Sequence, residues 1–115
     1  MCNHVVTQPF KRQSGHAVVS FKTACKIPVK SGVVEGTLRI RYAPDQAIIE
    51  KKDFVAFLES SLQHPWQTLE EFTDGFIAKF YDALVPFSVE GQLTIKTDGL
   101  TQHITAQKQQ PQINL

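Results

Sequence analysis

The spacing of apolar residues changes period twice along this 115-residue chain, from two to 3.6 after Pro44 and back to two after Pro86. Residues 50–63 have helical spacing and should end near His64, because Pro65 disfavours helical geometry in the residue before it. The apolar stripe of this predicted helix is formed by Phe54, Phe57, Leu58 and Leu62.

A second predicted helix follows closely. Thr68 and Glu71 have the spacing of a capping box, in which each side chain accepts a backbone hydrogen bond at the helix start. One apolar stripe then continues to Pro86 through Leu69, Phe72, Phe76, Phe80 and Leu84. Two consecutive helices are therefore expected in the middle of the chain.

The segments before Pro44 and after Pro86 have the patterns of β-strands. Residues 16–26 are rich in β-branched and aromatic side chains and end at Cys25, and after a predicted loop at 27–32 the next ten residues alternate well. Beyond Pro86 a second alternating pair surrounds Asp98-Gly99, a two-residue hairpin signal. The predicted order is strand, strand, helix, helix, strand, strand.

This order favours an α+β fold, with an antiparallel four-stranded sheet and two helices on one of its faces. We expect a single domain over residues 15–109, with flexible ends at 1–14 and 110–115. Such a sheet has two open edges, and joining the sheets of several subunits would remove them. A homo-oligomer is therefore expected.

Composition narrows the classes of function. Twelve Lys and Arg against eleven acids give a net charge of +1, so we expect no nucleic-acid partner. No apolar run approaches the roughly 20 residues that span a bilayer, and the polar start does not resemble a signal peptide. We expect a cytoplasmic protein without a membrane partner. The four histidines and the two cysteines, Cys2 and Cys25, lack ligand spacing, so no metal is expected.

Two residues could carry chemistry. Cys25 lies near Lys22 and Lys26, and nearby cations lower the pKa of a thiol toward a nucleophilic thiolate, although such a cysteine can equally be a small buried side chain. Because the capping box uses Glu71, Glu70 is left free to accept two parallel N–H bonds from a guanine-like edge, or simply to stabilise the helix dipole. Trp66 could stack on a flat ring or cover the core.

The segments FKTACKIPVKSGVVEGTLRIRY, IIEKKDFVAFLESSLQH and TLEEF resemble the nitrile reductases of queuosine biosynthesis, in the tunnelling-fold (T-fold) superfamily. The resemblance covers roughly residues 20–97. It implies subunits of order β-β-α-α-β-β that close a β-barrel and build sites between neighbours. It also implies an oxidoreductase in which a cysteine adds to the nitrile of 7-cyano-7-deazaguanine, giving a thioimide that NADPH reduces.

Carried over residue by residue, the resemblance makes Cys25 the nucleophile and Glu70 the anchor of the base. His64 falls on the substrate side, Glu50, Lys52 and Ser60 fall in the motif on the side of the NADPH cofactor, and Glu35 is the acid nearest the position of the proton donor. The same motif has an aromatic residue and Arg where this chain has Ser61 and Leu62.

Three functions therefore stay open from the sequence. The first is NADPH-dependent reduction of a nitrile on a deazaguanine-type base through a Cys25 thioimide. The second is a non-catalytic T-fold module that binds a purine- or pterin-like ring. The third is a structural oligomer with a vestigial site.

Overall fold

A computed structural model describes the backbone of Gln8–Pro9 and all of residues 17–111. Four main strands and two helices follow one another in the expected order, with two additional strands of only two residues each. Their bounds are β1 Gln8–Pro9, β2 Val19–Val29, β3 Gly32–Ala43, β4 Ala47–Ile48, α1 Lys51–Ser61, α2 Leu69–Leu84, β5 Ser88–Thr97 and β6 Leu100–Gln109.

The main sheet has four antiparallel strands, as the sequence predicted, and their order in the sheet is β2-β3-β5-β6. One of its faces packs on the helices through alternate residues such as Ile27, Leu38 and Leu93, which are fully buried. We call the other side the helix-free face; it carries the polar side chains of Lys22, Lys26, Thr37, Arg39, Arg41, Glu35, Glu90, Gln92, Thr94, Lys96, His103 and Thr105. This arrangement is the predicted two-layer fold.

Aromatic rings fill the space between the layers. Phe76 of α2 is fully buried, with its ring centroid 5.1 Å from Phe57, 6.1 Å from Phe54 and 6.4 Å from Phe80. Phe80 meets Tyr42 of β3 edge-on at 5.1 Å. The two predicted apolar stripes thus face each other and the sheet, and offset and edge-to-face ring contacts join helix to helix and helix to strand.

The start of α2 confirms the predicted cap and refines it. The Thr68 hydroxyl oxygen accepts the N–H of Glu71 at 3.1 Å. The Glu71 carboxylate accepts an N–H at 3.4 Å from Gln67, one residue before the cap. Glu71 is therefore hydrogen-bonded at the helix start, and the neighbouring Glu70 is exposed.

The first hairpin differs from the prediction. Strand β2 does not end at Cys25 but continues through Ile27, Pro28 and Val29, and a two-residue turn leads to Gly32. The prolyl residue had suggested a loop, but an edge strand tolerates proline because one side of its backbone has no sheet partner. The second hairpin is as predicted, since Asp98 and Gly99 both have positive φ, 50° and 80°.

The segments expected to be flexible, 1–14 and 110–115, lie mostly outside the described residues. Where the backbone is described, β1 pairs antiparallel with β4. Near the other end, Gln110 donates its backbone N–H to Phe87 O at 2.9 Å and its side-chain amide to Asp45 and to Val85 O, both at 3.0 Å. These contacts hold the chain just beyond β6 against the end of α2.

Candidate functional site

Cys25 lies in the interior of β2, directly opposite Gly36 of β3. Side chains alternate along a strand, so the thiol shares the helix-covered side with Ile27 and Val29, which are buried. Only 9% of Cys25 is exposed. The sulfur therefore points into the layer between sheet and helices rather than toward the helix-free face.

Burial, and not the neighbouring lysines, controls the charge state of this thiol. Lys22 and Lys26 lie three residues before and one residue after Cys25, and these odd separations place both on the helix-free face. Loss of hydration raises the pKa of Cys25 from 9.0 to about 11. The expectation that cations lower this pKa is wrong, and only about one thiol in 10⁴ is ionised at pH 7.

We expect alkylation of Cys25 by iodoacetamide to accelerate about tenfold per pH unit between pH 7 and 10, because only the thiolate reacts. The rate is measured by mass spectrometry in a Cys2→Ala background, with the denatured protein as control. The denatured thiol should level off near its ordinary pKa, about two pH units earlier than the folded one. A folded-state plateau below pH 9 would contradict the high pKa.

The same shift affects stability at alkaline pH. Because the folded thiol ionises near pH 11 and the unfolded thiol near pH 9, its contribution is fully present below pH 9 and is lost as the pH rises through 11. Burial also raises the pKa of Tyr42, whose hydroxyl accepts the N–H of Ile49 at 3.2 Å. The part due to Cys25 is therefore obtained as the difference between wild type and Cys25→Ala.

Glu35 and Cys25 border the same groove, but their side chains leave the sheet on opposite faces. The Glu35 carboxylate lies 3.6 Å from the Lys26 ammonium, and both side chains are exposed on the helix-free face, whereas the thiol lies behind the sheet. Glu35, Lys26 and Cys25 all border one groove of about 550 Å³, which is also lined by Ala24, Gly36, Thr37, Thr94 and Lys96. The role of Glu35 as proton donor to chemistry at Cys25 stays a prediction.

The loop between the helices is fastened to the edge of β2, which sequence reasoning missed. The backbone N–H of Trp66 donates to Pro28 O, and that of Lys30 donates to Trp66 O, both at 2.9 Å. Pro28 was the available signal, since a proline within a strand pattern indicates an edge strand. The start of α2 consequently lies at the end of β2, four residues beyond Cys25.

The Trp66 side chain covers the core. Its indole N–H donates to Ser61 O at 2.9 Å, its ring meets Phe72 edge-on at 5.7 Å, and it lies so close to Gly75 that a Cβ there would be 2.8 Å from the ring. Of the two roles left open by the sequence, the structure supports the structural one.

Glu70 and His64 are both exposed on this loop and the first turn of α2. Because Trp66 fastens the loop to β2, the base-anchoring candidate Glu70 and the strand that bears Cys25 come together at one edge of the subunit. Their functional groups do not face each other, since the carboxylate is exposed and the thiol is directed inward. The structure thus juxtaposes the two elements and separates the two groups.

The residues predicted on the cofactor side lie at opposite ends of α1. The Lys52 ammonium is 3.9 Å from the Glu50 carboxylate at the helix start, and Ser60 is in the last turn, about 12 Å further along the axis. Leu62 forms the C-cap and packs against the core. With no guanidinium at that position and Lys52 beside an acid, these residues do not fit the phosphates of NADPH.

Residues 17–111 contain no group of three or more His, Cys, Asp and Glu side chains placed to hold a metal ion. Neither α1 nor α2 is long and apolar enough to cross a membrane.

No protein-family model matches the chain, and no curated protein is similar to it in sequence. Among solved structures, the crystal structure of the archaeosine synthase QueF-Like in its apo form matches with a TM-score of 0.68 at 18% identity. The match covers 84% of this chain and 95% of that chain. Together with the element order, it shows that the chain has a T-fold like that of the QueF-Like protein.

Proposed function

We propose that this T-fold protein binds a deazaguanine-type base where β2 meets the start of α2, and that Cys25 adds to the nitrile of that base. The observation that carries the proposal is the pair of hydrogen bonds between Trp66 and β2, which holds the Glu70 helix start beside the strand of Cys25. The resemblance in sequence to the nitrile reductases supports the assignment of the two roles.

Glu70 is the anchor in this proposal. It lies in the first turn of α2, where the helix dipole and free backbone N–H groups stabilise a carboxylate. Since Glu71 is bonded in the cap, the exposed Glu70 carboxylate is available for two parallel hydrogen bonds from the N–H groups of a guanine-like edge.

Cys25 supplies the covalent step. The sulfur forms a bond to the nitrile carbon, one π bond of the nitrile breaks, and the thiol proton is transferred to the nitrile nitrogen, so the thioimide forms without an oxidant or a reductant. The proposal stops at the thioimide. Leu62 stands where the reductase motif has a cation, so we do not extend the function to reduction by NADPH.

Assembly completes the site. Within one subunit the Cys25 thiol is directed inward and the Glu70 carboxylate is exposed. The outer edge of β2 before Pro28 has no strand partner within the described chain, so another chain could pair with it. We propose a cytoplasmic homo-oligomer in which a neighbouring subunit joins this edge and encloses the base between protomers. The inward position of Cys25 then requires the edge to open when the base binds.

Glu70→Gln is expected to weaken binding of 7-cyano-7-deazaguanine about 10- to 100-fold, because a charged acceptor of two hydrogen bonds is lost. Isothermal titration calorimetry measures the change. Asp74→Asn is the matched control, since it removes the same charge one turn later from the exposed face of α2 and should leave the affinity unchanged. Equal affinities for wild type and Glu70→Gln would exclude Glu70 as the anchor.

A second function is favoured by the burial and high pKa of Cys25. In this case the protein binds a purine- or pterin-like ring and performs no chemistry on it. Binding would then be retained in Cys25→Ala, would not require a nitrile on the ring, and would leave the mass of the wild-type chain unchanged.

A further inference from the structure

The centre of the helix-free face carries three cations that the proposed base site does not use. Lys22 of β2 lies directly opposite Arg39 of β3, and Arg41 is two residues further along β3 on the same face. Directly opposed residues have Cβ atoms roughly 5 Å apart, so two positive charges there repel each other.

Carboxylates balance this cluster only in part. In the part of the chain that the structure describes, none of the three cations forms an ion pair within 4.0 Å. Arg41 faces Glu90 across the strands and Arg39 faces Gln92, so the immediate surroundings keep a net charge of about +2. Lys26, on the same face of the same strand, differs because Glu35 pairs with it at 3.6 Å.

The charges of the whole subunit are separated in the same way. Helices α1 and α2 hold six acids against three lysines, whereas the helix-free face carries five Lys and Arg against Glu35 and Glu90. The net charge of +1 conceals this separation because the sequence average combines the two layers. An anion approaching the protein is therefore attracted to the sheet and repelled by the helices.

We propose that Lys22, Arg39 and Arg41 bind a small anion that carries two linked phosphoryl groups. Guanidinium groups bind phosphoryl oxygens in a bidentate manner, and two of them with one ammonium supply N–H donors for two linked phosphoryl groups. Among residues 17–111, the face presents no aromatic ring for stacking on a base. The three cations are gathered around one cross-strand pair rather than spread along a track. These features favour a compact ligand over a nucleic-acid strand.

The cluster makes a distinctive prediction about stability. Without the ligand, Lys22→Gln removes the like-charge pair and should raise the melting temperature by about 1 to 5 °C at low ionic strength. Lys26→Gln is the matched control on the same face and strand, and it should give no rise because it breaks the ion pair with Glu35. If the melting temperature of Lys22→Gln is at or below that of wild type, Lys22 and Arg39 do not repel each other and the proposed site is contradicted.

Pyrophosphate is the probe for binding. At 10 mM it should raise the melting temperature of wild type by about 3 °C or more relative to chloride of equal ionic strength. Calorimetry should show at least a tenfold loss of affinity in Arg39→Gln, with no change in Lys51→Gln, which removes an exposed charge on α1. Retained affinity in both Arg39→Gln and Arg41→Gln would overturn the assignment.

Two competing anions test the class of ligand. Sulfate at equal ionic strength should be bound at least tenfold more weakly than pyrophosphate, and equal binding would mean a general response to anions rather than a diphosphate site. Duplex DNA at the same phosphate concentration should compete poorly. Tighter binding of DNA than of pyrophosphate would overturn the compact ligand and indicate an extended polyanion instead.

Discussion

Phe76→Ala is expected to lower the free energy of unfolding by about 4 kcal/mol. The ring is fully buried at the centre of the layer between sheet and helices and contacts Phe54, Phe57, Phe72 and Phe80. Truncation removes its transfer free energy and leaves a cavity that rings on two helices cannot readily fill. Since small domains are stable by only about 5–15 kcal/mol, this is a large part of the total.

Denaturant unfolding followed by circular dichroism measures this loss. Val55→Ala serves as the control, because Val55 lies on the outer side of α1 and is partly exposed, so it should cost less than about 1 kcal/mol. Phe76→Leu keeps most of the side-chain volume, so its loss in the free energy of unfolding should lie between those of Phe76→Ala and Val55→Ala. A loss below about 1 kcal/mol for Phe76→Ala would show that the aromatic layer is not the core of the fold.

The two helices were predictable because their signals are local. The stripe from Phe72 to Phe80 has the period of a helix, and the cap at Thr68 requires only a residue three positions away. The second hairpin was predictable for the same reason, since Asp98 and Gly99 adopt the positive φ angles that their turn needs. Periodicity and turn chemistry are properties of residues close in sequence, so both can be recognised without knowledge of the tertiary structure.

The course of β2 could not be predicted in this way. Whether a strand can continue through Pro28 depends on its being at the edge of the sheet, and this is determined by pairing with β3 and by the distant Trp66. The two-residue strands β1 and β4 were missed because so short a pairing leaves no periodic pattern.

The environment of Cys25 depends on the same tertiary pairing. Proximity in sequence suggested that Lys22 and Lys26 would ionise the thiol, whereas strand alternation separates them onto the other face and the helices bury the sulfur. Alternation itself was visible in the sequence, so the side of the sheet was predictable in principle. The extent of desolvation was not, because it depends on how α1 and α2 pack over the strand.

Cys25→Ala is expected to abolish covalent capture of the nitrile completely. No other described residue is a thiol, and the remaining cysteine, Cys2, is far from Cys25 in sequence. Since addition needs the thiolate and the pKa of Cys25 is about 11, the adduct should form about 100 times faster at pH 9 than at pH 7. A Cys2→Ala variant is the control and should form the adduct at the wild-type rate.

NADPH provides an independent arm of this experiment. Leu62 stands where the reductase motif has a cation. Added NADPH should therefore not remove the adduct, and its absorbance should show that it is not oxidised. Oxidation of NADPH coupled to the loss of the adduct would show that the chain is a reductase after all and that the phosphates are held by other residues.

Intact-mass spectrometry of the wild-type protein incubated at pH 9 with saturating 7-cyano-7-deazaguanine is the most direct measurement. We expect a mass increase of one base per chain in wild type and none in Cys25→Ala. Wild-type protein that binds the base in calorimetry and gains no mass, or a Cys25→Ala variant that still gains it, would contradict the role assigned to this thiol.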